Sequence, residues 1–170
     1  MKNILLIFMS LIIVSCTKSD DSIGLIFEQE SYDTNRELWE NSGIKNYTFI
    51  QEYSSTSVGS LPKLITVVID GKLDTIYSLS SLNHNYSIEN HTNYKTINDV
   101  FDFINSIVES CNEQINSSDR PMEGAEIKVE YNENYYYPTK IKCIGYYNES
   151  LLGGLSVGIT ISDFEIILNL

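Results

Sequence analysis

Apolar residues recur along this chain at spacings that separate helix from strand. Between Thr96 and Gln114, Ile97, Val100, Phe101, Ile104, Ile107, Val108 and Cys111 return every three or four residues, the period of one helical face. Thr96, with Asp99 three residues on, forms a capping pair at the start. Such a stripe has to lie on something apolar, and a sheet face is the expected partner. A shorter helix is predicted over Ser31 to Gly43. Ser31 or Thr34 caps it, Arg36, Glu37, Leu38 and Glu40 favour it, Gly43 ends it, and Leu38 and Trp39 form its buried side.

A period of two marks the strands. Tyr47, Phe49 and Tyr53 alternate with polar residues and lead into a serine-rich loop, Ser54 to Ser60. Leu64 to Ile69 is a dense β-branched run, followed by Asp70-Gly71, a hairpin turn because glycine accepts positive φ at no steric cost. Lys72 to Leu79 returns from it. Two registers are open: a two-residue turn pairs Val68 with Leu73, whereas a glycine bulge, the preferred form, aligns Ile65, Val67 and Ile69 with Leu73 on one face. Ser80 to Lys95 reads as a polar loop.

Further on, Ala125, Ile127, Val129 and Tyr131 alternate with Glu126, Lys128 and Glu130 as a half-buried strand. Pro138 opens its partner, with Ile141 and Cys143 inward and Lys140 and Lys142 outward. Antiparallel pairing would set glutamates against lysines, each pair adding about 0.2–1 kcal/mol. The last strand carries Leu155, Val157, Ile159 and Ile161 on one face and then Phe164, Ile166 and Leu168, a switch that needs a bulge near Ser162-Asp163. The pattern therefore predicts an α+β domain: an antiparallel sheet of five or six strands, one long amphipathic helix packed on a face, and a short N-terminal helix.

The first sixteen residues differ from all of this. Lys2, an apolar run from Ile4 to Val14, Ser15 and Cys16 form an export signal with a lipid-acceptor end. The stretch resembles a bacterial lipobox, which implies cleavage before Cys16 and acylation of its thiol. The run is shorter than the roughly 18–20 residues that a spanning helix needs. The expected organisation is a signal peptide at 1–15, a lipidated cysteine with a flexible tether at 16–30, and one domain at 31–170. The expected location is the bacterial cell envelope, at the outer membrane. Ser19-Asp20-Asp21 looks like a surface-export signal, and a solvated tether explains the same residues, so both orientations stay open.

Charge narrows the partners. With 23 acidic against 11 basic residues the net charge is −12, so phosphate backbones are repelled and nucleic acid is excluded. The remaining partners are the membrane, through acyl chains on Cys16, and a protein or peptide. His84 and His91 lie in the polar loop with Asp74, Glu89 and Asp99 at some distance, short of the three fixed ligands of a catalytic metal, so neither metal nor cofactor is expected. The chain is read as lacking a Gly-x-Ser-x-Gly elbow for a serine nucleophile, and Gly153-Gly154 and Gly158 make no phosphate loop. Cys111 and Cys143 each fall on an apolar face; in an oxidising compartment they are a candidate disulfide from helix to sheet, with two buried free thiols as the alternative. Tyrosine is in excess, twelve in all, and Tyr135, Tyr136 and Tyr137 in a turn are a candidate binding surface, although strand tyrosines also lie half in cores.

Several separated pieces also carry a resemblance. Leu38-Trp39, Ile44, Tyr47-Thr48-Phe49, Val68-Ile69-Asp70-Gly71-Lys72, Thr96 to Phe101 with Phe103-Ile104, Val129-Glu130-Tyr131 and Tyr137-Pro138-Thr139-Lys140-Ile141 occur in an order and spacing that resemble the DUF6174 family. The resemblance spans about Arg36 to Ile167. It implies an exported, often lipid-anchored bacterial protein of unknown function. The Cys-x-Cys pair that this family often carries at the end of its first strand corresponds here to Tyr53-Ser54-Ser55, without cysteine.

The functional expectation is a lipid-anchored envelope protein that is no enzyme and binds a protein or peptide through an exposed sheet face or the tyrosine turn. The alternative is an envelope hydrolase or carbohydrate-binding accessory lipoprotein whose site forms only in three dimensions. Replacing the acyl acceptor, Cys16→Ser, should abolish incorporation of labelled fatty acid and move the protein from the detergent phase to the aqueous phase; an unmodified thiol at position 16 in the native protein would overturn the anchor.

Overall fold

The computed structural model describes residues 24–78, 81–86, 93–119, 122–147 and 156–168, with backbone alone for 81–86. The expected signal at 1–15, Cys16 and residues 17–23 of the tether lie outside the described residues, as do Leu79, Ser80, Glu89, His91 and Leu155.

Among the described residues, nine strands and two helices make one mixed α+β unit. β2 (Tyr47–Ser55), β4 (Leu64–Ile69), β5 (Lys72–Ser78) and β6 (Ser81–Tyr86) form one antiparallel run, and β7 (Gly124–Tyr131), β8 (Pro138–Tyr146) and β9 (Ser156–Ile166) form another. Antiparallel pairing of β9 with β2 joins the two runs. β3 (Gly59–Ser60) folds back on the end of β2, and β1 (Gly24–Phe27) lies parallel to β7 at the sheet edge. The sheet is thus larger than five or six strands and not wholly antiparallel. The three additions are two to six residues long and have no alternating apolar pattern to announce them. Strand β1 also lies inside the stretch expected to be tether, because Gly24–Phe27 finds a ladder partner in β7.

The Asp70-Gly71 turn has both residues at positive φ, 51° and 74°, which matches the twist of a two-residue hairpin. Val68 therefore faces Leu73, and the register slips by one only beyond it, where Val67 meets Thr75. The preferred glycine bulge is corrected accordingly: Leu64, Thr66 and Val68 point into the core, while Ile65, Val67 and Ile69 are half-buried on the other face. The switch in β9 is real. Its pairing with β2 shifts between Thr48 and Ile50, and Asp163 has φ 51°, so one extra residue turns Phe164 inward. Glu130 opposes Lys140 at 3.5 Å as expected, but Lys128 faces Lys142 and instead pairs with Glu126 of its own strand at 2.8 Å.

α1 (Gln29–Ser42) starts at Glu28, which makes no side-chain cap, rather than at Ser31 or Thr34; the end at Gly43, φ 67°, is as predicted. Tyr32 and Trp39, seven residues apart, are its buried side, whereas Leu38 is exposed because adjacent helical residues point about 100° apart. α2 (Ile97–Ile115) carries the full capping box: the Asp99 N–H donates to Thr96 Oγ1 at 3.1 Å and the Thr96 N–H to Asp99 Oδ2 at 3.1 Å. The Ile97 N–H donates to the Tyr47 hydroxyl at 3.1 Å, giving another orphan amide of the first turn a partner. Burial pushes that phenol up to about 12.

Both helices cover the same sheet face and hold each other. The Tyr32 hydroxyl donates to the Phe101 carbonyl at 3.1 Å, the Trp39 indole to Asn98 at 2.7 Å, and Arg36 reaches Asp102 at 2.7 Å. Beneath them lie Tyr47, Phe49, Val68, Ile141, Ile159 and Ile161. Burial of Ile97, Val100, Phe101, Ile104 and Ile107 at about 2 kcal/mol each contributes on the order of 10 kcal/mol, several times what the cap supplies. Thr96→Ala removes the capping oxygen together with one buried methyl group, so a loss of about 1–2 kcal/mol is expected in urea unfolding, with an unchanged m-value.

Candidate functional site

β1 is shorter than its partner, and that mismatch makes a concavity. Its four residues pair with β7 from Gly24↔Gly124 to Phe27↔Ile127, after which the chain turns into α1 at Gln29. Lys128 to Tyr131 consequently have β8 on one side and no strand on the other among the described residues. A groove of about 420 Å³ occupies the gap, walled by Ile26, Phe27, Glu28 and Ser31 on one side and by residues 126–131 on the other. Its surface is mostly apolar, and Ile26, 48% exposed, stands at its rim. Three carboxylates, Glu28, Glu126 and Glu130, and one ammonium, Lys128, border it.

Tyr131 closes the strand. Its ring stacks on Phe101 with centroids 6.3 Å apart, and its hydroxyl is buried without a hydrogen-bond partner among the described residues. Burial holds that phenol well above the ordinary tyrosine range, so it stays protonated and carries an unused donor and acceptor. The arrangement offers an extended chain three things: a free strand edge, an apolar trough and a negative rim.

The tyrosine turn is a different object. Asn132 Oδ1 accepts from the N–H groups of Asn134 and Tyr135, both at 2.9 Å, and Tyr136 takes φ 64°. Tyr137 is buried, stacked on Phe164 at 4.5 Å and edge-on to Trp39 at 6.3 Å. Tyr135 leans on Phe164 at 5.5 Å while remaining 39% exposed, and Tyr136 is half-buried. Tyr137 is therefore core, which corrects its place in the candidate binding surface; Tyr135 alone presents much ring to solvent.

Cys111 and Cys143 are brought together from α2 and β8, both fully buried, with their Sγ atoms 3.8 Å apart and unbonded. The thiol–thiol hydrogen bond lowers the Cys111 pKa, and the same contact with burial raises that of Cys143. Among the histidine-centred candidates, Asp99 is committed to the capping box and Asp74 accepts from the Thr75 hydroxyl at 2.7 Å. His91 and Glu89 lie outside the described residues, and of His84 only the backbone in β6 is described.

Two features had no place in the sequence pattern. Gln51 is fully buried in β2; its side-chain amide donates to the Asn93 carbonyl at 3.0 Å and its oxygen accepts from the Lys95 N–H at 3.1 Å, clamping the approach to α2. Residues 154–158 do spell Gly-x-Ser-x-Gly, but Ser156 opens β9, paired with Ile144, instead of sitting on a strand-to-helix turn. Its hydroxyl bonds to no base among the described residues.

Fold and groove define an α+β domain with one helix-covered sheet face and an incompletely paired edge. The chain belongs to the family of unknown function DUF6174, whose model matches residues 31–166. No curated protein matches the chain, and no solved structure matches it. The match takes in the β7 wall of the groove, whereas Ile26, Phe27 and Glu28 precede it.

The two ends of the tyrosine turn should respond differently to truncation. Tyr137→Ala empties a stacked core position and is expected to cost about 3 kcal/mol or more, while Tyr135→Ala should cost about 1 kcal/mol or less, both read from chemical unfolding.

Proposed function

We propose that the chain is a lipid-anchored protein of the bacterial envelope, not an enzyme, that binds an extended basic peptide segment along the open edge of β7. The observation that carries this reading is the stretch Lys128 to Tyr131, which pairs with β8 on one side and with no strand on the other among the described residues, beside an apolar groove. An exposed strand edge is a template for main-chain hydrogen bonds from an added strand, and a neighbouring trough selects side chains at alternate positions. Charge chooses the sign of the partner. Of the three carboxylates at the rim, Glu126 is met by Lys128 and Glu130 by Lys140, leaving Glu28 without an ion pair among the described residues; on a chain of net charge −12 this residual sign draws in a cationic segment and repels an acidic one. The buried Tyr131 hydroxyl would gain the partner it lacks.

The anchor is supported by the run from Lys2 to Cys16. No helix among the described residues is long and apolar enough to cross a membrane.

The test is amide chemical-shift mapping of the labelled Cys16→Ser chain with a ten-residue peptide of alternating lysine and valine. Shifts should concentrate at residues 26–28 and 128–131, and Ile26→Asp with Glu130→Lys should weaken binding about ten-fold or more. Absence of shifts there, or shifts confined to Ile50, Ile65 and Val67 on the uncovered sheet face, would overturn the edge as the site.

A further inference from the structure

We propose that Cys111 and Cys143 close a disulfide during folding, tying α2 to β8. The pair is built by two independent patterns. Cys111 is the last inward position of the α2 stripe, and Cys143 is an inward position of β8. Packing brings them face to face within a cluster that includes Ile107, Met122, Ala125 and Ile127. The sulfurs stand 3.8 Å apart, so bond formation requires them to approach by less than about 2 Å, within the reach of side-chain rotation and small shifts of helix against strand.

The chemistry balances by exchange with a disulfide carrier, the class of oxidant that an exporting compartment supplies. One thiolate attacks a carrier sulfur, forms a mixed disulfide and expels the carrier's second sulfur as thiolate. The other thiolate then attacks its partner's sulfur, closing the protein disulfide and releasing a carrier dithiol. Two S–H bonds are lost, one S–S bond forms, and two electrons and two protons pass to the carrier. Both sulfurs are fully buried in the folded domain, so the carrier must act before α2 settles on the sheet. Once closed, the bond is shielded from reductant by the same packing.

The oxidant rests on the export reading, so two arms are needed. In the first, reduced denatured full-length protein is refolded with oxidised and reduced glutathione, alkylated in denaturant without reductant, and digested with trypsin. Peptides 96–128 and 143–170 should be recovered as one species, lighter by two hydrogens than their sum, and this species should be absent from Cys111→Ala. Reductant should lower the melting temperature of the wild type by several degrees and leave that of the double alanine variant unchanged. Recovery of both peptides singly alkylated would overturn the proposal whatever the compartment. In the second arm the protein is extracted from cells under alkylation. A linked pair supports the bond in the cell; a linked pair in the first arm with free thiols in the second overturns that bond and counts against export, leaving the geometry intact.

Discussion

The pairing of β9 with β2 is the contact on which the rest of the architecture depends. Each antiparallel run is made of strands that lie close to one another in the sequence. Nothing local joins one run to the other: Tyr53 must find Ile159, and Tyr47 must find Ile166, across more than a hundred residues. Loop closure over that span is costly, and such pairings set the pace of folding in sheet proteins. What offsets the cost is the burial that the junction creates. Phe49, Ile159 and Ile161 become one continuous floor only when the ladder is complete, and α1 and α2 have a surface to cover only then.

The bulge at Asp163 belongs to this junction. By inserting one residue opposite Phe49 it delivers Phe164 to the core side, where the rings of Trp39, Tyr47, Tyr135 and Tyr137 lie against it. Phe164 thus reads the register of β9, since a strand shifted by one would present Asp163 to the same cluster. Legibility in the sequence followed the same logic. α2, β4, β7 and the Asp163 switch were readable because each carries a long or sharply periodic apolar signal. The failures are equally physical. β1, β3 and β6 owe their strand form to a neighbour's free edge more than to their own residues, and the register of β4 was decided by two positive φ angles in the turn, which composition alone leaves ambiguous.

The candidate sites divide in the same way. The Cys111–Cys143 encounter was legible as soon as a helix stripe and a strand face had been drawn, because both cysteines sit on inward positions. The groove was not, because it arises from where β1 stops, and a stopping point four residues into a strand leaves no mark in hydropathy. Tyr135 to Tyr137 misled in part because an aromatic run in a turn is compatible with either surface or core; the tight Asn132 turn sends Tyr137 inward, and Phe164 waits there.

If acyl groups on Cys16 hold the chain as proposed, the position of β1 limits how far its edge can stand from the lipid. Gly24 is the first residue of the edge strand and lies eight positions after Cys16. Eight residues at full extension span no more than about 29 Å. A chain held by acyl groups at Cys16 would therefore keep its β1 edge, and the groove beside it, within roughly one bilayer thickness of the lipid surface. Under that tether, a partner fixed in the same leaflet could reach the edge without leaving the lipid surface.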